Sequence, residues 1–113
     1  MYQPKMLYKS NRANAYLAKE ILEASPQKLL LKVYDFAIVN CKNQNVSKTN
    51  KALNELISAL RFDTDEAKEI STGLLRLYRF CQDQMKKGDF DIVVRILSDL
   101  KEAWITIFER END

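Results

Sequence analysis

The chain has 113 residues, 46% hydrophobic and 30% charged, with two Gly, two Pro and no His. That is length for a single domain spanning 1–113, and so few turn-forming residues favour an all-α protein over a β fold or a disordered chain. Lys and Arg (18) barely exceed Asp and Glu (16), and the two signs are interleaved, so the basic stripe of a nucleic-acid binder is absent.

Residues 1–11, "MYQPKMLYKSN", have no regular period and include Pro4, so they read as an extended or mobile arm carrying Met6, Leu7 and Tyr8. From Arg12 to Glu23 the apolar residues Ala15, Leu17, Ala18, Ile21 and Leu22 support a short helix, too short to stand alone in water. Ser25 then offers a capping oxygen and Pro26 takes the first helical position, a strong start for a helix running to about Asn43. The polar run "KNQNVSKTN" is read as a break, followed by a helix from Lys48 to Phe62. In "FDTDE", Asp63 and Thr64 are caps and the following acids suit the first turn of a third helix, which ends at "KKGD" where Gly88 suits a left-handed cap. The last helix spans Phe90 to about Glu109. Four long helices on short connectors predict an antiparallel up-and-down four-helix bundle with a short N-terminal helix and the N-terminal arm beside it.

On a wheel of about 100° per residue, the helices starting at Lys48 and Asp65 carry apolar arcs of about 160°, adequate for a bundle core. The Ser25 helix is greasier. Leu29, Val33 and Phe36 form one edge, Leu30, Tyr34, Ala37 and Cys41 the centre, and Leu31 and Ile38 the other edge, an arc of roughly 220°. The last helix is comparably wide, with Phe90, Val94, Leu97, Trp104, Ile105 and Phe108 on one flank and Ile92, Ile96, Leu100, Ala103 and Ile107 on the other. Two explanations stand: deeper burial under the N-terminal helix and in a homodimer, or a groove that receives an apolar segment of another protein.

Catalysis has little to work with. The absence of His removes the commonest general base and metal ligand, and there is no Gly-rich phosphate loop, CxxC pair or nucleophile elbow. Glu66 and Glu69 have metal-ligand spacing but sit where a helix N-terminus favours acids, and the other helices present apolar residues instead of matching carboxylates. The reading is therefore no enzyme, no cofactor and no metal. Cys41 and Cys81 fall inside helical patterns and read as buried, reduced thiols. No run approaches the roughly 18 apolar residues of a membrane span, and residues 1–11 lack a signal-peptide core, so a cytoplasmic protein without membrane insertion is expected.

The stretch "AYLAKEILEASPQKLLLKVYDFAI" resembles the opening of the FliS family of flagellin export chaperones, with Ala15-Tyr16, Ala24-Ser25-Pro26, and Tyr34, Asp35, Ala37 and Ile38 at the matching places. The resemblance continues through "LLRLYRF" and "GDFDIVVRILSDLKEAW" to Lys101, Glu102, Ala103 and Trp104. Two departures stand out: Phe36 replaces the family's Gly, and the middle connector is short. The resemblance implies an antiparallel helical bundle that binds the disordered C-terminal segment of flagellin, prevents premature polymerisation and delivers it to the flagellar type III export gate. It implies client contact through the wide apolar arcs, for which Leu29, Leu31, Val33 and Ile38 are the candidates, with Leu75 and Ile92 in support. Tyr16 matches the Tyr implicated in docking on the export gate, the other role open to it being to cover the bundle core, and Met6, Leu7 and Tyr8 are read as covering the groove before a client arrives. The alternative is a homodimeric helical scaffold or adaptor without a flagellin client. A homodimer is also the state considered for the client-free chaperone.

Overall fold

The computed structural model describes residues 25–111, which form four helices and no strand. These are α1 (Pro26–Lys42), α2 (Val46–Ser58), α3 (Asp65–Lys87) and α4 (Phe90–Glu111). The short helix expected over 12–23 and the arm over 1–11 lie outside the described residues.

The helix boundaries follow from local chemistry. Ser25 Oγ accepts from Lys28 N–H at 3.2 Å and Pro26 opens α1, as the Ser-Pro predicts. The break after α1 is much shorter than the polar run suggests. Only Asn43–Asn45 leave the helix, with Gln44 in the left-handed region at φ 59° and Asn45 N–H donating back to Asn40 O at 2.9 Å. Asn45 Oδ1 then caps α2 by accepting from Lys48 N–H at 3.0 Å, so α2 begins at Val46, ahead of the expected Lys48. It also stops at Ser58, short of the expected Phe62. The apolar period continues through Leu60, but Leu60 N–H turns tightly onto Ile57 O, and the Arg61 carbonyl accepts from Ser71 Oγ of α3 at 2.5 Å. That bond holds the connector out of the helix and aims it at the α3 N-terminus, where Thr64 Oγ1 accepts from Ala67 N–H at 3.0 Å. At the other end of α3, Gly88 takes the left-handed conformation (φ 79°) and Asp89 N–H reaches Gln84 O at 3.0 Å.

Each helix turns one stripe inward. The core comprises Tyr34, Ala37 and Cys41 of α1, Ala52, Leu53 and Leu56 of α2, Tyr78, Cys81 and Met85 of α3, and Val93 and Leu97 of α4. Helix α1 adjoins α2 and α4, and α3 adjoins the same two, with α3 and α4 the most loosely joined of these four adjoining pairs. Residue pairs give the sense of packing. Gln27 meets Glu111, Asp35 meets Lys101 and Cys41 meets Phe90, so numbers fall along α4 as they rise along α1.

Candidate functional site

The core midway along α1 and α3 is polar in an ordered way. Trp104 Nε1 donates to Tyr34 Oη at 3.0 Å, and Tyr34 and Tyr78 share a hydroxyl–hydroxyl bond of 2.5 Å. Burial pushes both tyrosine hydroxyls above their ordinary range, so they remain neutral donors and acceptors. Farther along, Cys41 Sγ lies 3.5 Å from Met85 Sδ and 3.4 Å from Phe90 O, and burial raises the Cys41 thiol while pushing Cys81 up to about 12. Both thiols are free, buried and protonated at neutral pH, which leaves them inert as nucleophiles. Among the described residues, no three of His, Cys, Asp or Glu converge to hold a metal ion. Glu66 sits in the first turn of α3, as expected of an acid placed to suit the helix dipole.

What the surface offers instead is apolar area. Above the Tyr–Trp network lies a pocket of about 270 Å³ lined by Leu30, Leu56, Leu60, Ile70, Leu74 and Trp104, among others. A cleft of about 390 Å³ runs between the start of α1 and the end of α4, floored by Leu31, Ile105 and Phe108 and edged by Lys28 and Glu109. On the outer face of α1, Leu29, Phe36 and Val39 are all exposed, Leu29 at 50%.

The residues singled out from sequence are spread over these features. Leu29 points outward, Leu31 floors the α1–α4 cleft, and Val33 and Ile38 are half-buried against the core. Leu75 is half-buried, and Ile92 is exposed and lines a third concavity at the start of α4, shared with Cys41, Lys42 and Gly88. Tyr16, Met6, Leu7 and Tyr8 lie outside the described residues.

Helix α3 departs from the expectation of an ordinary core helix. Ile70 is 57% exposed, Leu77 38%, and Phe80 is exposed as well. At about 100° per residue Ile70 and Leu77 share an apolar stripe with Tyr78 and Cys81, but the bundle takes only the Tyr78 side of that stripe inward. The available signal was width: Phe80 lies about 60° beyond Leu77 and widens the stripe, as Phe36 widens the arc of α1.

No helix among the described residues is long and apolar enough to cross a membrane. The model of the family described as flagellar protein FliS matches residues 9–111, almost the whole chain. No curated protein matches the chain, and no solved structure does.

Proposed function

The chain belongs to the FliS family, a family of flagellar chaperones with a helical fold, and from that premise we propose that it is a cytoplasmic export chaperone for flagellin. It binds the disordered C-terminal segment of flagellin, keeps it from polymerising early and hands it to the export gate of the flagellar type III apparatus. The family match over residues 9–111 carries this reading. The exposed apolar side chains support it, because a client segment that would otherwise zip onto its neighbours must have its apolar face covered reversibly. Ordering such a segment consumes part of the binding energy, which keeps the affinity low enough for handover.

In this reading the protein is one antiparallel up-and-down bundle, supported by the pairings of α1 with α4 and of Asn54 with Gln82. It performs no catalysis and uses no cofactor. Leu29, Leu31, Val33 and Ile38 contact the client, with Leu75 and Ile92 in support. Tyr16 docks on the export gate, and Met6, Leu7 and Tyr8 cover the groove until the client arrives.

Titration calorimetry tests the proposal, using the full chain and a peptide of the last forty or so residues of flagellin from the same organism, roughly one wrapped segment. The expected result is binding near one to one, weakened by Leu29→Asp and Leu31→Asp variants that keep wild-type helicity. A folded protein that ignores the peptide, and sediments as a dimer through its apolar faces, would replace the chaperone reading with the homodimeric scaffold.

A further inference from the structure

Helix α3 is held unevenly along its length. In its second half Tyr78, Cys81 and Met85 are buried, Tyr78 bonds Tyr34 of α1, and Gln82 donates to Asn54 of α2 at 2.8 Å. Across residues 65–73 the one buried side chain is Ser71, Ala67 and Thr72 are half-buried, and Ile70 is 57% exposed. Beneath this first half lies the pocket of about 270 Å³, to which Ala67, Ile70 and Leu74 contribute from α3, and Leu30, Leu56 and Trp104 from the other three helices. A side chain over a void has no partner atoms on that side and forfeits their dispersion attraction, so the first half of α3 gains less from packing than the turns around Tyr78.

Its fastenings are also few. Apart from the Thr64 cap, the one side-chain bond from 65–73 to another part of the described chain is Ser71 Oγ donating to the Arg61 carbonyl at 2.5 Å. Next to Arg61, Leu60 N–H is bonded to Ile57 O of α2, so the Ser71 bond is where the first half of α3 is tied to the bundle. Gly73 stands where the two halves meet. Nothing lies within 4 Å of a Cβ added there, so no close approach demands a glycine, and its backbone freedom weakens the helix at that point. The segment before it is shorter than the roughly 12–15 residues a helix needs to persist alone in water, so it loses its helicity once detached.

We propose that residues 61–73 form a latch: when Ser71 releases the Arg61 carbonyl, the segment opens about Gly73 as a unit, laying the pocket and Trp104 open to water while the turns from Tyr78 to Met85 stay packed. The latch is a property of the fold and does not depend on the chaperone reading. It gives water a route to the Tyr34–Tyr78–Trp104 network without unfolding of the whole bundle, through the part of the wall that yields first.

Amide hydrogen exchange of the full chain, followed by NMR under conditions where it reports the opening equilibrium, tests this. Amides of residues 69–73 are expected to be protected relative to an open chain, yet at least about a hundredfold less than those of 79–85. Ser71→Ala should lower the protection of 69–73 about tenfold, as one lost hydrogen bond implies. Val93 is buried on α4 and does not line the pocket. Val93→Ala should therefore lower the protection of 79–85 about tenfold and leave 69–73 unchanged, because the opened form keeps that part of the core packed. Equal protection of the two stretches in wild type, or a parallel fall of both in Val93→Ala, means that the first half of α3 opens only with the whole bundle, and overturns the latch. The first of these comparisons needs no variant. Amides 69–73 unprotected in wild type and unmoved by Ser71→Ala mean a frayed segment instead of a fastened one, and overturn it equally.

Discussion

Removing the Tyr34 hydroxyl should cost clearly more stability than removing that of Tyr78, although both rings are fully buried and share one hydrogen bond. Phenylalanine keeps the ring, so neither substitution opens a large cavity. The difference lies in what is stranded. Tyr34 Oη sits between two partners, accepting from Trp104 Nε1 at 3.0 Å and bonding Tyr78 Oη at 2.5 Å. In Tyr34→Phe both bonds vanish, leaving the Trp104 N–H and the Tyr78 hydroxyl without these partners in an apolar surround. In Tyr78→Phe one bond vanishes and Tyr34 keeps Trp104. With net losses of about 1 kcal/mol per bond and about 1–3 kcal/mol for a stranded buried polar group, Tyr34→Phe should cost about 2–4 kcal/mol and Tyr78→Phe about 1 kcal/mol. The double variant should cost less than the sum, because the second substitution removes a group that the first had already stranded. Urea titrations followed by far-ultraviolet circular dichroism measure all three, provided the denaturant slope is unchanged. Equal costs, or a larger cost for Tyr78→Phe, would refute the reasoning and mean that the Trp104 bond contributes nothing to stability.

Two further predictions concern the ends of the pH and conformational ranges. Burial lifts the Cys81 thiol from 9.0 to about 12, and because the folded value lies above the unfolded one, its contribution is whole below about pH 9 and is lost as pH rises from about 9 to 12. Between neutrality and about pH 10 the wild type should therefore lose roughly 1–2 kcal/mol more than a Cys81→Ala variant, and equal losses in parallel urea titrations would show that the thiol ionises freely in the folded state. The two glycines should respond to alanine with opposite signs. Gly88 sits at φ 79° with nothing within 4 Å of an added Cβ, so Gly88→Ala is strained only by its backbone and should cost about 1 kcal/mol, whereas Gly73, inside α3 with equally open space, should gain up to about 1 kcal/mol. Matching signs in thermal melts would count against both arguments.

The sequence announces where these helices begin more reliably than which neighbour each edge meets, and the reason is one of range. Ser25-Pro26, Thr64 and Gly88 act through bonds or backbone angles within a few residues, so a local reading finds them. Asn45 is equally local and was hidden only by its polar surroundings, since an Asn three residues before Lys48 is a capping signal in its own right. The end of α2 is different. Nothing within Leu60–Phe62 stops a helix, and the stop comes from Ser71, ten residues on, taking the Arg61 carbonyl. The apolar edges depend on range in the same way. The wheel identifies α1 and α4 as wide, but Val33 and Ile38 are drawn toward the core while Leu29 is left outside, a division set by where α2 and α4 lie against α1. Helix α3 makes the point most sharply. Leu77 and Tyr78 are adjacent, both apolar in pattern, and one is 38% exposed while the other is buried, because the position of α2, fixed through Gln82 and Ser71, rotates α3 so that Leu77 lies outside the core. A sequence can therefore show that a helix has more apolar surface than a bundle core requires. Which part of that surplus is left outside the core is decided by contacts between helices far apart in the chain, and for this protein those contacts leave Ile70, Leu77 and Phe80 of α3 exposed in addition to residues of the two wide helices, α1 and α4.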